Sequence, residues 1–289
     1  MTHAENLPPE TGRDPRRFLR CLTEQDDGRL PLAHAALAAA KLDPISASSD
    51  DRVDEALQQL DSLGASLATR MGPSPPDAAT AADCLAGILH MEAGFTGDSD
   101  SYDDLRNGNL FRVLERRRGL PVALGIIYMH VGRAAGLTVD GLAFPGHFLV
   151  RVETAGSRVV VDPFFDGIQR DAPSLRELLK TMQGAGSELT AGHYDTVPDR
   201  DVLFRLQNNI KMRLIDSERL SDAASVVETM VMMRPGEPTL WRDAGILHAN
   251  AGNLRAAIEA FGHFMDLEPR QNARLQVQAL VDDLKNRLN

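Results

Sequence analysis

With 289 residues, 43% of them hydrophobic and 25% charged, the chain has the composition of a folded soluble protein and the length for one large domain or two moderate ones. Its formal net charge of -10 and pI near 5.3 argue against nucleic acid as a partner, because displacing counterions from phosphates takes clustered Lys and Arg. No run approaches the apolar length that crosses a bilayer and the polar, acidic start has no secretory pattern, so no membrane association and a cytoplasmic location are expected.

Residues 1–15 read as a flexible lead-in rich in Pro, Glu and Asn, and apolar residues at helical spacing from Arg16 to Leu22 mark the start of order. Cys21 and Cys84 form neither a disulfide framework nor a metal-ligand pattern and are expected to be buried packing residues. An Ala-rich helix over 32–42 is stopped by Asp43-Pro44, and Asp50-Asp51 supplies a capping start for a helix carrying Val53, Ala56, Leu57, Leu60 and Leu63. Gly72 to Pro76 is a loop; 79–92 and 107–117 again read as helical, the second with Leu110, Val113 and Leu114 on one face. Between them, Asp98, Asp100, Asp103 and Asp104 have the composition of a calcium loop but lack its glycine and closing glutamate, so they read as a solvated loop.

Pro121 to Gly136 is a strong helix, with proline where no N–H is needed and glycine just past the end, and its apolar content predicts central burial. After Gly136 the period changes. Segments 137–144, 147–153 and 158–162 are short, rich in β-branched residues and separated by turn residues, which predicts strands. A tight turn at Thr154-Ala155-Gly156-Ser157 pairs Glu153 with Arg158 and Leu149 with Asp162, and so sets His147 diagonal to Asp162 on one face. A slip of one residue would separate them.

Pro235 and Pro269 are 34 residues apart, as are Ala223 and Ala257, the spacing of tetratricopeptide repeats. Trp241, Gly245, Ala257, Phe261 and Pro269 fall on the signature positions of the second unit; the first, about 203–235, has Lys211 where glycine is expected. Residues 270–289 supply a final amphipathic helix, since isolated repeats need neighbours or caps. Such repeats bind peptides, so a protein or peptide partner is expected there.

The residues that carry chemistry are Phe144-Pro-Gly-His-Phe-Leu-Val150 and Val160-Val-Asp-Pro-Phe164. A histidine oriented by a carboxylate is the base half of a Cys/His/Asp or Ser/His/Asp triad, and equally a structural hydrogen bond at a strand end. His90, His130, His193, His248 and His263 show no metal-ligand spacing, and neither a metal nor a cofactor is expected.

The stretch Asn107-Gly-Asn-Leu-Phe-Arg-Val-Leu-Glu-Arg-Arg-Arg-Gly-Leu-Pro-Val-Ala-Leu124, then Tyr128, Gly136-Leu137, Pro145-Gly-His-Phe-Leu-Val-Arg151 and Asp162-Pro-Phe164, resembles the bacterial SirB-one family, a transglutaminase-like module followed by tetratricopeptide repeats. The resemblance runs over about residues 16–270. It implies an α+β fold: a papain-related core with N-terminal helices and an antiparallel sheet over 16–197, followed by an all-α array over 198–289. It also implies a nucleophilic Cys at the start of the central helix, yet Gly119, Leu120, Pro121, Val122 and Ala123 carry no thiol or hydroxyl, and Pro121 stands at the expected Cys position. His147 and Asp162 are then the remnant of a triad. Arg118, Gly119, Pro121, Val122 and Tyr128 line what is left, and the helix N-terminus offers N–H groups to a small anion. The reading that follows is a non-enzymatic ligand- or protein-binding regulator. The alternatives are a hydrolase or acyl-transfer enzyme using His147 and Asp162 with a non-standard nucleophile, and a scaffold in which only the repeats matter.

Overall fold

A computed structural model describes residues 14–25, 28–45, 52–74, 76–154 and 156–288. They fall into two units, one of Asp26–Leu37 and Asp50–Leu206, the other of Met1–Gln25, Ala38–Ser49 and Gln207–Asn289. Residues 1–13 of the expected lead-in and the Asp50-Asp51 cap lie outside the described residues, while Asp14 caps a helix that Pro15 opens.

Helices α1 (Pro15–Cys21) and α2 (Leu32–Leu42) come first, followed by α3 (Val53–Met71) and α4 (Ala78–Ala86). Helix α4 runs on as a wider π turn over Gly87–Glu92, so the helix expected to reach residue 92 changes its winding at Gly87. A two-residue parallel bridge, β1 (Thr96–Gly97) with β2 (Arg118–Gly119), lies on either side of the helix expected over 107–117 and encloses α5 (Leu110–Arg116). Helix α6 (Pro121–Ala134) has proline at its first position, and every residue of it except His130, Arg133 and Ala134 is buried. Leu57, Leu60 and Leu67 of α3 are buried, and His130 on α6 meets Asp61 on α3 at 2.8 Å.

An antiparallel sheet follows in the order β3 (Thr138–Gly141), β4 (Val150–Thr154), β5 (Ser157–Asp162), β6 (Ile168–Arg170). Side chains alternate along each strand, so Val150, Val152 and Val161 share a face buried to 0% exposure. On that face the Gln169 amide reaches Ala79 and Asp83 on α4. The other face carries Arg151, Arg158, Val160, Asp162 and Arg170; Val160 packs with Leu175, Leu178 and Leu179 of α7 (Ala172–Gln183). Asp171 caps α7, accepting from the Ser174 N–H at 2.9 Å. The two-residue hairpin turn sets the register Thr154↔Ser157, Glu153↔Arg158 and Val150↔Val161. The strand before that turn begins at Val150, so His147 sits in the connection leading into the strand rather than in it.

In the other unit, α9 (Leu220–Met233), α10 (Pro238–Asn250), α11 (Leu254–Leu267) and α12 (Gln271–Leu288) stack in sequence, after α8 (Asp199–Asp216), which spans the division at 206/207. A side chain on Gly245 would lie 2.5 Å from the Phe261 ring, so only glycine lets α10 and α11 approach this closely. Phe261, Phe264, Val277, Val281 and Leu284 form the core there. Lys211, in place of the usual glycine, pairs with Asp243 at 3.1 Å. Helix α1 buries Phe18 and Leu19 and packs against α9, so it groups with the repeats and not with the contiguous 16–197 segment expected from sequence. The reason is long-range apolar burial, which no local pattern encodes. Both cysteines are free and half-buried, less enclosed than expected.

Candidate functional site

The site starts from the hairpin. With Val150 opposite Val161, the residues just outside the ladder face each other, and His147 Nε2 meets Asp162 Oδ1 at 2.8 Å. Both side chains are buried, at 4% and 0% exposure. A carboxylate only accepts, so facing Asp162 the imidazole Nε2 is the donor of this pair.

Asp162 is heavily bonded. Its Oδ1 also accepts from the backbone N–H groups of Phe164 and Phe165 at 3.2 and 3.4 Å, and its Oδ2 accepts from Arg170 Nε and Nη2 at 3.1 and 2.9 Å. The turn 163–167 makes this possible by folding back, with the Gly167 N–H on the Asp162 carbonyl at 2.9 Å, to start β6 and bring Arg170 opposite Val160. Arg205 holds the other side: it donates to the Phe144 and His147 carbonyls at 3.2 and 2.7 Å and lies over the Phe148 ring. Burial pushes its pKa down. A Cβ on Gly125, in α6, would collide with Phe148, so the central helix and the segment bearing His147 touch through a glycine.

Two phenyl rings flank the imidazole. Phe164 meets it edge-on at 6.0 Å and Phe165 lies tilted at 5.9 Å, with the Arg170 guanidinium over Phe165 at 5.2 Å. Tyr102 packs edge-on to Phe164 at 5.8 Å and is partly exposed, as is Phe165. The start of α6 connects to this cluster through backbone: Gly119 pairs with Gly97, and the Gly97 N–H donates to the Phe164 carbonyl at 3.1 Å.

The other residues expected to line the site divide sharply. Gly119, Pro121 and Val122 are buried in an apolar first turn together with Leu120. Tyr128 is buried at 1% exposure, and among the described residues its hydroxyl has no hydrogen-bond partner. Burial first, and then the nearby Asp166 and Asp162 charges, raise its pKa. Arg118 is exposed and pairs with Asp100 at 3.3 Å. Arg116 is tied to the buried Asp98 at 2.9 Å and to Asn107 at 2.9 Å, while Arg117 lies over the Phe95 ring.

Asp98 therefore corrects the reading of residues 98–104 as a solvated loop. Burial pushes its carboxyl up, but bonds from the Ser101 N–H and hydroxyl, Arg116 and Asn107 outweigh that and bring it down to about 2. Its role is structural: it anchors the loop to α5. Among the described residues no group of three or more His, Cys, Asp or Glu side chains could hold a metal ion, and no helix is long and apolar enough to cross a membrane.

Sequence reasoning missed Arg170 and Arg205. For Arg170 the available signal was Asp166-Gly167, a turn pair that could have announced a fourth strand after Asp162. For Arg205 there was none, because its partners lie about sixty residues away in the chain.

Residues 54–208 match the model of the transglutaminase-like superfamily, and 210–282 match a tetratricopeptide repeat model. A UPF0162 protein of Xylella fastidiosa is 31% identical over 201 residues, 68% of this chain and 72% of that protein. A UPF0162 protein of Pseudomonas aeruginosa is 34% identical over 203 residues, 68% and 69% of the two chains. Protein SirB1 of Salmonella typhimurium is 24% identical over 204 residues, 70% and 76%.

Proposed function

This chain belongs to the transglutaminase-like superfamily, with tetratricopeptide repeats after that domain, and from this premise we propose that it is a pseudoenzyme: a ligand- and protein-binding regulator, not an acyl-transfer catalyst. The observation that carries the reading is the pairing of an intact His147–Asp162 dyad with a helix start, Leu120-Pro121-Val122-Ala123, that holds no nucleophile. Acyl transfer on this framework needs a thiolate or activated hydroxyl beside the imidazole; without one the rate falls by orders of magnitude. The burial of the His147 side chain, at 4% exposure, supports the same conclusion, because a general base must be reachable by the proton it takes.

The binding role rests on donors that remain. Pro121 has no N–H and the Leu120 N–H donates to the Asn107 carbonyl, so the Val122 and Ala123 N–H groups, with the helix dipole, are the groups we assign to a small anionic ligand. Arg116 and Arg118 add little there, being paired with Asp98 and Asp100. Tyr128 supplies a buried hydroxyl beside the dyad. The repeats offer a protein or peptide partner a cavity of about 470 Å³ lined by Arg20, Glu228, Trp241, His248 and Glu259.

A thiol-reactive activity probe is expected to label neither Cys21 nor Cys84, and panels of amide and ester substrates are expected to show no turnover. Turnover that His147→Ala abolishes would overturn the proposal in favour of a hydrolase or acyl-transfer enzyme.

A further inference from the structure

A second cluster of charge lies on the sheet face that carries Asp162. Strand pairing puts Arg151 opposite Val160 and Val160 opposite Arg170, a row across three strands, and Arg158 stands two residues before Val160 on the same side. These arginines, with Tyr194 and Asp195, surround a cavity of about 750 Å³ floored by Val160. That size is within the range of small-molecule sites.

The three cations are committed to different degrees. Arg170 donates Nε and Nη2 to Asp162, and Arg151 donates Nη1 to the Tyr194 carbonyl at 3.1 Å and pairs with Glu153 at 2.7 Å. Arg158 is exposed and makes no hydrogen bond or ion pair among the described residues. Of the two lining carboxylates, Asp171 is held by the first turn of α7, which leaves Asp195 at the rim. Three guanidinium groups thus converge on one concave surface of a chain whose net charge is -10.

We infer that this cavity binds a small organic oxyanion, a carboxylate or a phosphate ester, with Arg158 as the principal ion-pairing residue and Arg151 and Arg170 flanking it. A guanidinium fork matches the geometry of both oxyanions, and Val160 and the Tyr194 ring offer apolar surface to the rest of the molecule. Arg170 serves two anions, so occupation of the cavity changes the field at Asp162 and, through it, at His147. The inference stands whether or not the dyad is catalytically silent.

The test titrates the full-length protein with inorganic phosphate and, separately, with succinate at constant ionic strength, following heat of binding and the imidazole resonances of His147. Saturable binding of either anion is expected, weakened about tenfold in Arg158→Gln, the usual effect of one charge-assisted bond. Arg52→Gln, which removes an exposed arginine paired with Glu55, is expected to bind as wild type. Phosphate binding alone identifies a phosphate ester, succinate binding alone a carboxylate. A non-saturating response to both, or equal affinity in Arg158→Gln, overturns the inference; so does binding that leaves His147 unmoved, because Arg170 would then stand outside the ligand set.

Discussion

Replacing Asp162 by Asn tests whether the dyad is held as a charged, fully bonded unit. Asp162 accepts from His147, Arg170 and two backbone N–H groups. An amide has one accepting oxygen and one donating nitrogen, so in Asp162→Asn the new side chain can satisfy the backbone N–H groups of Phe164 and Phe165 or the guanidinium but not both. Whichever way it turns, donor faces donor. Breaking a buried ion pair by removing one partner costs about 3–5 kcal/mol. The Arg170 side chain keeps 16% exposure, enough for partial hydration, so the lower end, about 3 kcal/mol, is expected. Against a domain stability of about 5–15 kcal/mol this is a large loss. Tyr102, Tyr128 and Tyr194 are the protein's three tyrosines and all lie in the unit that bears the site, whereas the one tryptophan, Trp241, lies in the other. Tyrosine near-UV circular dichroism in urea should therefore show the loss while Trp241 fluorescence does not. Adding Arg170→Met should recover much of it, because no unpaired cation then remains. A loss below about 1 kcal/mol, or no recovery in the double variant, would refute the ion-pair argument.

Other outcomes follow from the same geometry. Gly125→Ala gains about 1 kcal/mol of helix propensity but forces a methyl into Phe148, a cost of about 1–3 kcal/mol, so net destabilisation by tyrosine-monitored urea melts is expected; a stabilised variant would mean that Phe148 moves freely. Gly245→Ala should lower the Trp241-reported stability by a similar amount through Phe261 and leave the tyrosine signal unchanged. Tyr128→Phe removes a buried hydroxyl without a partner among the described residues, so stability should stay level or rise by about 1 kcal/mol; a loss beyond about 1 kcal/mol would show that the hydroxyl is bonded. Asp98 has a carboxyl lowered from 3.8 to about 2, so the stability it contributes is complete above about pH 4 and disappears as pH falls toward 2. Wild type should lose about 2 kcal/mol more than Asp98→Asn across that window, measured by urea melts at each pH; parallel pH profiles would contradict the assignment.

Much of the site was legible because its parts are local. The tight turn at 154–157 fixes the register from four residues, and that register brings His147 to Asp162 across fifteen positions. Pro121 and Gly136 bracket α6 by backbone rules alone, and the absence of sulfur at its start is a fact of sequence. The repeats announced themselves because their helix contacts recur at a fixed period, as Gly245 against Phe261 illustrates.

Sequence by itself thus determined the central helix, the hairpin, the repeat period and the lack of a thiol or hydroxyl at the start of α6, all of which depend on residue identity, backbone propensity and spacing within a few tens of residues. Only the tertiary structure decided that Arg170 and Arg205 brace the dyad, that Asp98 is buried against Arg116, that phenyl rings flank His147 and that α1 joins the repeats. The physical reason is common to all four: a buried charge or an apolar face is satisfied by whichever side chain folding brings near, and periodicity along the chain does not specify that partner.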